Sequence, residues 1–359
     1  MNDKMVIVAV ERMDAQTEKT QSSLGPFDKW MFSIPQQFDQ MTSPLLSRVN
    51  PVVINAVDTV IIGSANDNSI AKWKTLNLLI LENKTKNRPT DILSGIGTTL
   101  IMDLGKALIN ARDIFKIDAA CATGLVSLDI ASIIAKTRNQ VVMIVAVDKS
   151  TAPYFQMSFN SLGALASGPQ YFSPFDLNRN GFAMGEGSAL IAVCTQAKAE
   201  ELQLPIVAEL DAIATKTITT HPTNPSDINQ IQQFITDVIT ASGRRLDEFA
   251  YWDAHGTATP TGDELEYKIF NETFGNRDVA LSSFKSRIGH CMAASALIEL
   301  VNGIENMRSQ TISPNYGIVN KMIDDDRIIT QARHTDKKTF IKTSFGFGGR
   351  NAAAVVTVK

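Results

Sequence analysis

A chain of 359 residues with 34 Lys and Arg against 37 Asp and Glu carries a net charge of −3, and has no basic block to organise around nucleic acid. Its 44% hydrophobic content is enough to bury a sizeable core, as one large domain or two fused halves. Three cysteines without paired spacing, Cys121, Cys194 and Cys291, argue against a disulfide framework or a zinc site and for a reducing, cytoplasmic compartment. No apolar run reads as long enough to span a membrane, and Met1-Asn2-Asp3-Lys4 lacks a signal-peptide pattern.

In chain order, Met5 to Val10 reads as a strand, and residues 11–50 as irregular structure with aromatic anchors Phe27, Trp30, Phe32 and Phe38. Asp58 to Gly63 is a second strand, and Ile70 to Glu82 and Leu100 to Ala111 are helices. Phe115 to Ala120 reads as a short buried strand. From Ala122 onward, Leu125, Leu128, Ala131 and Ile134 recur at helical spacing. Val141 to Val147 is a continuous apolar run, the mark of a strand covered on both faces. Residues 151–187 are loop-rich, and strands follow at 188–195 and 206–214.

Ile228 to Ile239 is an amphipathic helix that Ser226 or Asp227 can cap and Gly243 can end. Phe249 to Asp253 is a strand opening onto Ala254-His255-Gly256, followed by a helix over 263–273 and a strand at 279–284. Gly289-His290-Cys291 then turns into the helix Met292 to Leu300, echoing the turn at Cys121. Thr339 to Ser344 and Ala352 to Val358 are strands flanking Phe345-Gly346-Phe347-Gly348-Gly349-Arg350. Strands alternating with helices predict α/β layers, and the echo suggests two related halves.

Cys121 falls at a strand-to-helix turn among small residues, where the positive end of a helix dipole favours thiolate over thiol. The alternative is a buried structural cysteine. His255 and His290 each follow a predicted strand and each sit beside a glycine, at the strand ends where α/β sheets form their sites. Lys285 adds a cation five residues before His290. Cysteine with histidine and no metal spacing points to nucleophilic acyl transfer. A cysteine hydrolase, a thiolase-like enzyme and a decarboxylating condensing enzyme all remain open on that chemistry.

Ala120-Cys121-Ala122-Thr123-Gly124, His255-Gly256-Thr257-Ala258-Thr259-Pro260-Thr261-Gly262-Asp263, Lys285-Ser286-Arg287-Ile288-Gly289-His290 and Ser344-Phe345-Gly346-Phe347-Gly348-Gly349 together resemble the β-ketoacyl synthases. The stretch from Phe175-Asp176 to Gly187 is similar to the same family's loop before the domain midpoint. The motifs stand in family order, 134 residues from Cys121 to His255 and 35 from there to His290, and the likeness spans residues 58–359. It points to the Cys-His-His branch, because Thr257, Thr259 and the Lys285-to-His290 spacing fit that branch; the Cys-His-Asn branch has Asn at the second position, and a thiolase carries a second catalytic cysteine near its C-terminal glycines.

The resemblance implies an α/β, thiolase-like fold of two related βαβ halves in a layered α-β-α-β-α core. Residues 1–200 would carry the nucleophile, and residues 201–359 the two histidines and the Gly-Phe-Gly-Gly loop. It implies a β-ketoacyl-[acyl carrier protein] synthase of fatty acid or polyketide type, an acyltransferase with no cofactor of its own. Cys121 would take the acyl chain from a carrier-protein phosphopantetheine, and the N–H groups of Cys121 and Phe347 would form an oxyanion hole. His255 and His290 would steady the malonyl enolate from their Nε2 atoms. Lys285 and Glu266 match the family's supporting pair, Phe345 and Phe347 its gating loop, and Thr257 and Thr259 its substrate contacts.

The implied partners are an acyl carrier protein and a second ketosynthase-like subunit, in a homodimer or heterodimer through the strand near 141–147. The rival is a non-condensing subunit that shapes the pocket of an active synthase, a type that usually lacks the nucleophile. The chain departs from the family in a shortened segment before Cys121, in residues 11–57, in Arg350 and in Cys291. His221 falls where the family often has a loop histidine but reads as surface, His334 as solvated and Cys194 as core.

Overall fold

The computed structural model describes residues 4–13, 21–24, 30–33, 41–64, 107–108, 110–151, 153–218 and 227–359. Its strands are β1 (Met5–Met13), β2 (Gln21–Leu24), β3 (Trp30–Ser33), β4 (Val57–Gly63), β5 (Asp113–Ile117), β6 (Val141–Lys149) and β7 (Met184–Thr195). After these come β8 (Ala208–Thr217), β9 (Phe249–Asp253), β10 (Ala280–Ser282), β11 (Thr311–Ile312), β12 (Arg333–His334), β13 (Thr339–Gly346) and β14 (Arg350–Val358). One mixed sheet runs in the order β10-β9-β13-β14-β8-β1-β7-β6-β4-β5, with β3 parallel to the start of β7 and β2 paired to β3.

That order is symmetric about the antiparallel β1/β8 pair. Reading outward, β1-β7-β6-β4-β5 in the first half matches β8-β14-β13-β9-β10 in the second. Strand directions match as well: the outer pairs β4/β5 and β9/β10 are parallel, and β6/β7 and β13/β14 antiparallel. The two halves thus share one topology, which the faint echo in sequence suggested.

Alternation along the strands explains the layers. On β6, Val142, Ile144 and Ala146 face one core while Val141, Met143, Val145 and Val147 face another. The first core holds the helices Thr123–Arg138 and Met292–Arg308, packed against strands of both halves. The second, on the outer face of the first half, is covered by the helices Ser43–Arg48 and Pro51–Ala56 and by Gln196–Glu201. A third core, on the outer face of the second half, lies under the helices Ile228–Ala241 and Pro260–Phe274. This is the α-β-α-β-α arrangement, with two helices in the middle.

Several expectations change. Within 11–50, the segment read as irregular contains β2, β3 and the helix Ser43–Arg48, and β1 extends to Met13. The loop-rich stretch holds the helix Pro153–Ser161. The strand before Cys121 is not buried: β5 is the sheet edge, and Phe115 is 41% exposed. Conversely β6, where dimer pairing was expected, is enclosed between β4 and β7 with both faces covered, so its apolar run needs no partner subunit.

The stretch Ala120–Arg138 does have the length and composition to cross a membrane, contrary to the sequence reading. Here it is a core helix between the two sheet halves. The helices expected at 70–82 and over most of 100–111 lie outside the described residues. Asp227 is the cap of Ile228–Ala241, accepting from the Gln230 N–H at 3.0 Å.

The two central helices cross closely at Gly124, where an added Cβ would stand 2.8 Å from the Leu297 amide nitrogen. Gly124→Ala is therefore expected to lower the unfolding free energy by about 1–3 kcal/mol through overpacking. Urea denaturation checks this against the wild-type midpoint.

Candidate active site

Asp113–Ile117 ends at Asp118, and the chain makes a tight elbow before the helix Thr123–Arg138. Ala120 takes φ +50°, a left-handed conformation that costs a non-glycine residue about 1–3 kcal/mol and so must be held by its surroundings. The holding bonds are local. Ala120 N–H donates to Asp118 Oδ1 at 2.9 Å, Ala119 N–H to Thr123 Oγ1 at 2.8 Å, and Thr123 Oγ1 to the Ala120 carbonyl at 2.6 Å. Ser344 Oγ adds a bond to the Cys121 carbonyl at 3.0 Å. The elbow presents the Cys121 side chain to a cavity of about 290 Å³.

His290 reaches the same cavity from the matching position of the second half. Its backbone is fixed against the start of β7, with its N–H on the Ala183 carbonyl at 2.7 Å and its carbonyl taking the Gly185 N–H at 2.9 Å. Its Nε2 lies 3.0 Å from Cys121 Sγ, and its Nδ1 lies 2.9 Å from Ser295 Oγ. The Phe182 ring packs edge-on against it at 5.1 Å.

His255 stands 5.7 Å from His290, ring centre to ring centre, with the planes at 86°. It is held by its peptide. Glu266 accepts the His255 N–H through Oε1 and the Gly256 N–H through Oε2, both at 2.8 Å, and Lys285 Nζ donates to the His255 carbonyl at 2.7 Å. Thr343 Oγ1 steadies Glu266 at 2.7 Å.

Lys285 and Glu266 therefore act on opposite ends of one residue, His255. The partner of Lys285 is Glu299, at 2.6 Å. Glu299 also pairs with Lys342, which in turn reaches Asp253 at 3.4 Å and the Ala254 carbonyl at 2.8 Å. Glu299, Lys342 and Asp253 were missed in the sequence. The available signal was a charge alone in an apolar stretch: Glu299 in Met292 to Leu300, and Lys342 in a strand.

The glycine-rich loop closes the other side. An added Cβ at Gly346 would stand 2.8 Å from the Ala119 carbonyl oxygen, so only glycine lets the loop lie on the elbow. Phe345 packs on His255 at 5.7 Å, and Phe347 faces Phe159 at 6.1 Å. Thr257 and Thr259 line the cavity, their hydroxyls 3.1 Å apart. Of the remaining candidates, His334 is exposed beside Asp336, and Cys194 is buried in the outer core of the first half. Cys291 is buried with long contacts to the Ile288 and Gly289 carbonyls, and His221 lies outside the described residues. All three cysteines are free, and among the described residues no group of His, Cys, Asp and Glu could hold a metal ion.

The electrostatics reverse one expectation. Burial pushes the Cys121 thiol up to about 12; Lys285 pulls it back, but not enough. Desolvation by burial outweighs the helix dipole. Burial, then the Lys285 cation, holds both His255 and His290 well below the usual imidazole range. At rest the constellation is a neutral thiol beside two neutral imidazoles. Alkylation of Cys121 by iodoacetamide should therefore climb about tenfold per pH unit from pH 7 to pH 10 without levelling. Peptide-resolved labelling rates check this, and a plateau below pH 8 would show a thiolate at rest.

Residues 114–199 match the model for the β-ketoacyl synthase N-terminal domain, and residues 207–318 that for its C-terminal domain. Among curated relatives, 3-oxoacyl-[acyl-carrier-protein] synthase 2 of Coxiella burnetii is 30% identical over 66% of this chain and 60% of its own length. The tetracenomycin polyketide synthase ketoacyl synthase alpha subunit of Streptomyces glaucescens is 30% identical over 67% of this chain and 59% of its own. The chain thus spans about 60% of the length of these relatives. One chain of the solved complex of a type II PKS acyl carrier protein with its ketosynthase bound to the hexaketide superposes at TM-score 0.87 and 20% identity, covering all of both chains. That likeness shows the fold, and with the two family models it leads to one assignment: the chain belongs to the β-ketoacyl synthase family of the thiolase superfamily.

Proposed function

We propose that the chain is a β-ketoacyl-[acyl carrier protein] synthase, condensing malonyl carrier protein with an acyl chain held on Cys121. The observation that carries this is Cys121 Sγ, 3.0 Å from His290 Nε2, in one cavity with His255. In the loading step Sγ attacks the thioester carbon of an acyl phosphopantetheine. The carrier's C–S bond breaks, and the Cys121 proton ends on the departing thiol. The N–H groups of Cys121 and Phe347 receive the transient oxyanion.

In the second step the malonyl C–C bond to the carboxylate breaks, carbon dioxide leaves, and the electron pair moves into the thioester as an enolate. The Nε2–H groups of His255 and His290 hold the enolate oxygen. The enolate α-carbon attacks the Cys121 thioester carbon, the bond to Sγ breaks to leave a thiolate, a β-ketoacyl carrier protein departs, and the thiolate takes a proton from water to restore the thiol. Neutral imidazoles suit this role, because they donate without a counter-ion in a buried cavity. Lys285 and Glu266 keep His255 in place, Phe345 and Phe347 gate the acyl pocket, and Thr257 and Thr259 line the path of the pantetheine arm. The chain needs no cofactor of its own in this reaction, since the phosphopantetheine belongs to the carrier.

The relatives' names support both a fatty acid and a polyketide setting. A neighbour solved with its acyl carrier protein supports that partner, and a relative named as an alpha subunit supports assembly with a ketosynthase-like subunit or a second copy. Retention of Cys121 with both histidines weighs against a non-condensing, pocket-shaping subunit. Three free, buried cysteines support a reducing, cytoplasmic setting.

Incubation with acyl carrier protein should place the acyl mass on Cys121, with none on Cys194 or Cys291. Peptide mapping decides, and label on Cys291 alone would overturn the assignment. His290→Ala should still load Cys121 but lose carbon dioxide release from malonyl carrier protein by roughly 100- to 1000-fold, the usual effect of one lost oxyanion donor. Measuring the two half-reactions separately checks it; lost loading with intact decarboxylation would reverse the roles.

A further inference from the structure

His255 and His290 differ in how their rings are held. His255 is fixed through its peptide, and its Nδ1 has no hydrogen-bond partner among the described residues. His290 is gripped by the ring itself, with Nδ1 2.9 Å from Ser295 Oγ and Nε2 3.0 Å from Cys121 Sγ. Phe182 and His255 pack edge-on against the ring.

A neutral imidazole carries its proton on one nitrogen, and the partner of the other nitrogen selects which. Ser295 lies in the helix Met292–Arg308, 1% exposed, and Nδ1 is its side chain's only hydrogen-bond partner among the described residues. Were the hydroxyl to accept from Nδ1–H, its own O–H would be buried without an acceptor. Donating to Nδ1 leaves only a lone pair unmet, which costs less than a stranded donor. The O–H therefore points at Nδ1, and the ring proton sits on Nε2.

We infer that Ser295 is a positioning residue that locks His290 in the Nε2–H tautomer, fixing it as a hydrogen-bond donor towards Cys121 Sγ and whatever oxygen takes its place. His290 in this state has no free lone pair facing Sγ and does not take the Cys121 proton. The consequence for catalysis rests on the condensing reading above. The tautomer itself does not. Removing the hydroxyl frees the proton to settle on Nδ1 and costs donor strength where the enolate oxygen forms.

The test begins with uniformly 15N-histidine-labelled full-length protein and long-range 15N–1H correlation spectra, the His290 ring being assigned by its loss in His290→Gln. Wild type is expected to show Nε2 protonated and Nδ1 unprotonated. Ser295→Ala should lose that single tautomer and slow malonyl decarboxylation about tenfold or more, with Cys121 loading within about twofold. Ser295→Thr, which keeps the hydroxyl, should restore both. An Nδ1–H tautomer in wild type, or an alanine variant with unchanged spectrum and decarboxylation, would overturn the inference. Should Ser295→Ala fail to fold, the wild-type spectrum alone decides. Absence of any acylation by carrier substrates would sink the condensing reading while leaving the tautomer result intact.

Discussion

Glu299 sits with no solvent exposure between two buried lysines, and the geometry of the site hangs on that carboxylate. Through Lys285 it reaches the His255 carbonyl, and through Lys342 it reaches Asp253 and the Ala254 carbonyl at the end of β9. Glu299 belongs to the helix that follows His290, and Lys342 to the strand that leads into Phe345 and Phe347. One carboxylate thus joins the two histidine-bearing segments and the glycine-rich loop. Two lysines face two carboxylates there, so the desolvation cost of each ion is offset by its neighbours. Removing one member would leave an uncompensated buried charge, typically a loss of about 3–5 kcal/mol. The same lysines, after burial, keep both imidazoles unprotonated.

The site's location follows from the repeated topology. Cys121 comes after β5 and His290 after β10, which are equivalent edge strands in the two halves. Folding the halves about the β1/β8 pair brings the two turns face to face at the starts of the central helices. Ala120 at φ +50° and Met292 at φ +44° mark the two elbows. One elbow presents Cys121 and its counterpart His290, so a duplicated frame brings two different side chains into one cavity. Gly124 against Leu297 and Gly346 against Ala119 are the close approaches that let the layers meet there.

Much of this was legible in sequence where a residue's role is local. The turn residues around Cys121, His255 and His290, the apolar run of β6 and the period of Ile228–Ala241 are written in neighbouring positions. What depends on distant partners was not. The Lys285–Glu299 pair spans fourteen residues, and Glu266 acts across the turn by holding two backbone N–H groups, so neither contact is written in neighbouring positions. The Cys121 thiol was expected to be lowered by the helix dipole. Its environment is a buried cavity, and desolvation, invisible in a sequence, wins. The exposed edge of β5 and the enclosure of β6 likewise follow from sheet order, which strand pattern alone does not determine.

The central claim is that one cavity couples carbon dioxide loss to carbon–carbon bond formation on Cys121. The most direct measurement supplies acylated protein with malonyl carrier protein labelled at the free carboxylate, and counts released carbon dioxide against β-ketoacyl carrier protein formed. The account predicts one released for each product, with Cys121→Ala giving no product at all. Carbon dioxide release without β-ketoacyl product from the acylated wild-type protein, or product formed by Cys121→Ala, would contradict it.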